Sequence, residues 1–184
     1  MELKGSQTEK NLMTAFAGES EARNKYTFFA SAAKKEGFEQ VAGIFLETAD
    51  NEKEHAKLWA KALNLFSAGT QAGDTVKNLI RAAEGEHEEW TQMYRQFAEV
   101  AKAEGFDDLA VAFTEVGEVE EEHEARYRKL ADNLEKGIAF HREDEKTRWR
   151  CRNCGYVPEG TDAPDSCPAC HHPKAYYELD AQNY

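Results

Sequence analysis

A gap-free internal repeat constrains this chain more than any other feature. Residues 29–55, FASAAKKEGFEQVAGIFLETADNEKEH, lie over residues 97–123, FAEVAKAEGFDDLAVAFTEVGEVEEEH, at an offset of 68. The identities include Phe29/Phe97, Gly37/Gly105, Phe38/Phe106, Phe45/Phe113, Glu47/Glu115, Glu52/Glu120 and His55/His123. Packing accounts for the repeated aromatics and glycines. It does not account for Glu and His repeated in register on a core-facing stripe.

Apolar residues around the repeat recur at helical spacing, as in Leu12, Phe16, Ala22, Tyr26, Phe29 and Ala33. No proline occurs before Pro158, so nothing interrupts long helices. Breaks are expected at Gly37, at Gly105 and in the stretch 67–74, which gives helices over about 8–36, 39–65, 75–104 and 107–136. Four long helices joined by short turns predict an all-α four-helix bundle. All four prolines and all four cysteines fall after residue 150. That shift predicts a bundle domain over 1–146 and a small metal-bound β and loop domain over 147–184.

The formal charge is −12, of which the bundle segment holds −11. An acidic balance excludes a sequence-independent grip on nucleic acid and a polybasic membrane anchor. No apolar run is long enough to span a bilayer, and MELKGSQTEKNLMTAF lacks the apolar core of an export signal. A cytoplasmic location is expected.

Upstream of the repeat the register slips: Gly18-Glu19 matches Gly85-Glu86 at an offset of 67, whereas Tyr26 matches Tyr94 at 68. The second copy therefore holds one extra residue between its Glu and its Tyr. A single insertion in a helix is absorbed most readily as a π-bulge, a feature common at functional sites. Glu89, three residues after Glu86, is the candidate extra ligand. A Glu-x-x-His pair places both side chains on one helix face, and two such pairs, Glu52/His55 and Glu120/His123, stand in equivalent positions. With Glu19 and Glu86 from the other two helices they form the donor set of a di-metal carboxylate bundle. Carboxylates neutralise and bridge two divalent ions while each imidazole adds a neutral nitrogen. A third pair, Glu84/His87, lies off the repeat and is expected to be a solvated helix face.

The tail carries Cys151-x-x-Cys154 and Cys167-x-x-Cys170. Two such turns converging make a tetrahedral thiolate site suited to zinc or a single iron. A segment this short cannot bury enough core to fold without a metal or a docking partner. Trp149, Tyr156, Tyr176 and Tyr177 are expected to pack around the cysteine turns, and His171 and His172 to stay outside the site.

The strings AFAGESEARNKY, ADNEKEHAK, GEHEEW and WRCRNCGYV, in this order, resemble those of the rubrerythrin family over the whole chain. The resemblance implies a ferritin-like di-iron four-helix bundle followed by a rubredoxin-like iron domain. By position it implies two non-haem irons held by Glu19, Glu52, His55, Glu86, Glu89, Glu120 and His123, with Glu52 and Glu120 bridging. It further implies that Glu89 and His55 exchange as ligands of one iron, that Tyr26 and Tyr94 serve the site, and that Cys151, Cys154, Cys167 and Cys170 hold one iron. The loop between the cysteine pairs is shorter than in free-standing rubredoxins. The implied activity is reduction of hydrogen peroxide to water as a defence against oxidative stress. Electrons would come from a rubredoxin or an NADH-linked rubredoxin reductase, and the implied assembly is a head-to-tail homodimer. Ferroxidase chemistry with iron sequestration, and a zinc-bound structural protein, are the competing readings.

The connection between the second and third helices adds one expectation. It must offset ~31 Å of helix travel away from and back to the metals. Nine or ten residues reach at most ~30 to 36 Å. Exchange of helix pairs between two subunits, residues 1–65 of one with 75–136 of the other, removes this demand.

Overall fold

A computed structural model of the chain describes residues 2–71 and 73–182. Its elements are α1 (Gln7–Lys35), α2 (Glu39–Ala62), α3 (Asp74–Glu88), a π-helical turn (Glu89–Met93), α4 (Tyr94–Ala103), α5 (Asp107–Glu135), β1 (Trp149–Cys151), a 3-10 turn (Lys174–Tyr176) and β2 (Tyr177–Leu179). The expected third helix is thus α3 and α4 joined through a wide turn. It falls between Glu86 and Tyr94, where the slip in repeat register put an extra residue. The chain divides into two compact units between Asp74 and Thr75.

In the first unit α1 packs on α2 as a hairpin. Ser6 starts α1: its hydroxyl accepts from the Glu9 amide at 3.1 Å while the Glu9 carboxylate accepts from the Gly5 amide at 2.6 Å. Gly37, at φ 84°, stops it, with the Phe38 amide donating to the Ala33 carbonyl and the Gly37 amide to that of Lys34. Gly105 repeats this stop at φ 85°, through Phe106 to Ala101 and Gly105 to Lys102. Identical turn chemistry therefore closes both halves of the repeat.

The seam of each hairpin is lined by small buried residues at multiples of seven, Ala42, Ala49 and Ala56 on α2 and Ala110, Gly117 and, two steps on, Ala131 on α5. Beside it the Phe29 and Phe45 ring centres lie 5.6 Å apart, as do those of Phe97 and Phe113. Each hairpin leaves apolar residues open at matched positions, Phe38 (56% exposed) with Phe106 (55%) and Val41 (45%) with Leu109 (53%).

The second helix ends at Ala62 rather than at Leu65. Asn64 adopts φ 55° and closes the helix in the manner of the glycines, with the Leu65 amide donating to the Ala60 carbonyl. In the following link the amides of Gly69, Thr70 and Gln71 all donate to one oxygen of the buried Asp74 carboxylate, at 3.1 to 3.2 Å.

The second unit holds the other hairpin and the cysteine tail. There β1 pairs antiparallel with β2, Cys151 opposite Tyr177. The tail's core is Trp149, Cys151, Ala163, Cys167 and Tyr177, with Phe140 packed against it. Trp149 is fully buried and its indole donates to the Gly160 carbonyl at 2.9 Å. Tyr156 and Tyr176 lie on the surface instead, at 41% and 42% exposure. The Ala163 amide donates to the Phe140 carbonyl and the Arg142 amide to that of Thr161, so the segment after α5 is woven into the tail. Among the described residues no helix is long and apolar enough to cross a membrane.

Candidate metal centres

Four sulfurs gather at the tail. Each Cys-x-x-Cys turn is tightened by an amide that donates back to the carbonyl of its first cysteine, Gly155 to Cys151 and His171 to Cys167, both at 2.8 Å. The residue after each turn must adopt a left-handed conformation, which Gly155 does at φ 78° and His171 at φ 60°. The turns place Cys151 Sγ 3.8 Å from Cys170 Sγ and Cys154 Sγ 3.6 Å from Cys167 Sγ. A tetrahedral site with metal–sulfur bonds of about 2.3 Å has edges of about 3.8 Å, so the spacing fits a thiolate-bound ion. The His172 amide holds the Cys170 thiol down to about 5 against the opposing effect of burial. At Cys154 the Tyr156 amide acts the same way but is outweighed by hydrogen bonding with Cys170 and by burial, which push that thiol up to about 12. Four sulfurs this close cannot all be thiolates without a cation among them. His171 and His172 lie outside the cluster, the former shaping the second turn and the latter packing its ring on Tyr176 at 4.4 Å.

Each hairpin carries a second kind of cluster. In the first unit Glu19, Glu52 and His55 bring their donor atoms within 4.8 Å of one another, and in the second Glu86, Glu120 and His123 do the same. The internal geometry repeats closely. His55 Nδ1 lies 2.7 Å from Glu52 and 3.9 Å from Glu19, and His123 Nδ1 lies 2.6 Å from Glu120 and 3.8 Å from Glu86. Donors around an ion at ~2.1 Å lie within about 4.2 Å of each other, so a small contraction would seat a divalent cation.

The second cluster is the more crowded. Burial first, then the charge and hydrogen bond of Glu120 and the charge of Glu89, push the Glu86 carboxyl up from the usual carboxylate range, with His123 opposing. Glu89 lies on the first position of the wide turn, half-buried, outside the three-residue cluster yet close enough to act on Glu86. The Tyr94 phenol is also pushed up, by burial and then by Glu89, Glu120 and Glu86, so it stays protonated. Both tyrosine rings are packed, Tyr26 against Phe45 at 6.1 Å and Tyr94 against Phe113 at 6.2 Å.

A family model described as rubrerythrin matches residues 10–131, and one described as the rubrerythrin rubredoxin-like domain matches residues 149–178. The chain belongs to the rubrerythrin family. It is 53% identical over 190 residues to rubrerythrin of Nitratidesulfovibrio vulgaris, covering 99% of this chain and 98% of the relative. It is likewise 53% identical over 190 residues to rubrerythrin of Porphyromonas gingivalis (99% and 94%) and 51% over 193 residues to rubrerythrin-1 of Clostridium acetobutylicum (99% and 98%). Coverage is nearly complete on both sides, so bundle and tail match together. As a rubrerythrin the chain is an iron protein of the ferritin-like superfamily: the thiolate cluster is an iron site and the Glu and His clusters suit a di-iron site.

Sequence reasoning missed Glu124, a buried carboxylate one residue after His123. It accepts from Trp90 Nε1 at 2.6 Å and Arg128 Nε at 2.6 Å, and His87 Nδ1 lies 2.9 Å away. His87, expected on a solvated face, is half exposed and also has this partner. The available signal was the break in the small-residue seam, where Glu124 stands opposite Ala56 of the repeat.

Proposed function

We propose that the protein reduces hydrogen peroxide to water in the cytoplasm, with electrons entering at the four-cysteine iron from a rubredoxin or an NADH-linked rubredoxin reductase. The carrying observation is that one chain holds both cluster types, two Glu and Glu-x-x-His sets and one tetrahedral thiolate set. Iron bound at these sites supplies one-electron valence changes, two at the Glu and His pair and one at the thiolates. The balance is one peroxide, two electrons and two protons to two waters, the O–O bond being the one that breaks.

The side chains divide the remaining work. Glu19, Glu52, Glu86 and Glu120 with His55 and His123 would hold the metal pair. Glu89 is the surplus carboxylate, beside the second cluster and without a counterpart in the first half of the repeat, and it would alternate with His55. A mobile carboxylate can carry a proton towards a leaving oxygen, and the Tyr94 phenol, kept protonated by its carboxylate neighbours, is a second donor. Iron storage alone gives no use to a thiolate relay.

The working form is proposed to be a homodimer in which hairpin pairs are exchanged. The bend of the chain around Asp74 supports this, because residues folded over one carboxylate contribute little reach to the link between α2 and α3. The catalytic proposal is tested with iron-loaded Cys154→Ser. Reductase-coupled peroxide turnover should fall by at least a hundredfold, while a single peroxide reoxidation of the chemically reduced iron pair keeps its rate. Equal loss of both would remove the relay role.

A further inference from the structure

The extra residue between Glu86 and Tyr94 explains why a wide turn exists, and leaves open why it lies where it does. Glu86 must face α5 to reach Glu120, and Tyr94 and Phe97 must face it to pack on Phe113. Any single wide turn between those ends satisfies both demands. Moving it by one residue changes which side chain becomes the surplus one, since each residue of an α-helix turns by about 100°. A device that selects the turn beginning at Glu89 is therefore needed, and the side chains around Glu124 have the form of one.

Glu124 occupies the small-residue seam of α5, in step with Ala110, Gly117 and Ala131. Its Oε2 takes Trp90 Nε1 at 2.6 Å and His87 Nδ1 at 2.9 Å, and its Oε1 takes Arg128 Nε at 2.6 Å. His87 and Trp90 flank Glu89, one on α3 and the other inside the wide turn, and their rings meet edge to face at 5.6 Å. Two backbone features mark the same place. The Tyr94 amide donates to the Glu89 carbonyl five residues back, and the Thr91 hydroxyl takes up the His87 carbonyl. The first half of the repeat has no wide turn and none of these side chains, with Ser20 opposite His87, Ala56 opposite Glu124 and Ala60 opposite Arg128. The set is present where the turn is and absent where it is not.

We propose that Glu124, through His87 and Trp90, is a positioning residue that pins the wide turn at Glu89–Met93 and so makes Glu89 the surplus carboxylate of the second cluster. Glu124 is not itself a ligand, because both its oxygens are occupied and Arg128 balances its charge. The role of Glu89 in this inference rests on the ligand assignment proposed above.

The test uses the full-length iron-loaded protein with Glu124→Ala, Glu124→Gln and Trp90→Phe. In crystal structures of Glu124→Ala and Trp90→Phe the wide turn should leave residues 89–93 and the Glu89 carboxylate should swing away from Glu86. The Mössbauer signals of the paired irons should become more alike, while that of the thiolate iron stays unchanged. Glu124→Gln, which still accepts from Trp90, should keep the turn. If Glu124→Ala does not fold, Trp90→Phe decides alone, since it removes one hydrogen bond and keeps the ring. A turn retained at 89–93 with Glu89 in place in every variant that folds overturns the proposal. Glu89→Ala separates the two ideas: unchanged iron spectra there would remove the ligand assignment, whereas the position of the turn tests the pinning independently.

Discussion

Glu86 is crowded by its own acidic neighbours. Its carboxyl is pushed up by burial and by Glu120 and Glu89, so in metal-free protein the folded state takes up a proton more readily than the unfolded chain does. Stability from that preference is complete below the ordinary carboxylate range and is lost as pH rises through the folded value. Metal-free protein should therefore become less stable as pH rises from about 4.3, where an unperturbed Glu titrates. Denaturant unfolding at several pH values checks this: Glu86→Gln should flatten the slope, and iron should abolish it by pairing with the charge. At this scale the donors Glu52, His55, Glu120 and His123 could be read from the sequence because the repeat duplicates them. Glu124 could not. Its partners His87 and Trp90 lie 37 and 34 residues away, and only the fold determines that they meet.

Helix ends and turns are governed by a few backbone positions, and the repeat makes them comparable. A Cβ on Gly37 or on Gly105 would meet nothing within 4 Å, so the cost of replacing either glycine is conformational. Gly37→Ala and Gly105→Ala are each expected to destabilise by roughly 1–2 kcal/mol, with Asn at either site recovering part of the loss. Equilibrium denaturation of the four variants checks the sign and the match between halves. The glycine stops were legible for the same reason, and the wide turn was legible as a difference between two offsets. The early end of α2 was not, because Asn64 adopts the left-handed conformation without the glycine that usually announces it. The tail's hold on Phe140 was also hidden, since it depends on backbone pairing with Thr161 and Ala163 rather than on any local pattern.

At the scale of the whole molecule, each hairpin carries one Glu and Glu-x-x-His cluster and an open apolar stripe. Val41, Ile44 and His55 share one side of α2, so the surface that needs an apolar cover is also the one that needs the remaining ligands. The proposal of exchange has a second hairpin, the partner subunit's, supply both. Two crippled chains distinguish the arrangements. One carries Glu52→Ala with His55→Ala, the other Glu120→Ala with His123→Ala, and each alone should bind iron only at its thiolate site. Co-expressed with different tags and purified as the mixed dimer, exchanged subunits would bring both intact hairpins to one site and both damaged ones to the other. About half of the unmodified di-iron content and peroxide turnover should then return. Without exchange every site keeps one damaged hairpin and neither returns, provided circular dichroism shows that the helices of the mixed dimer are intact.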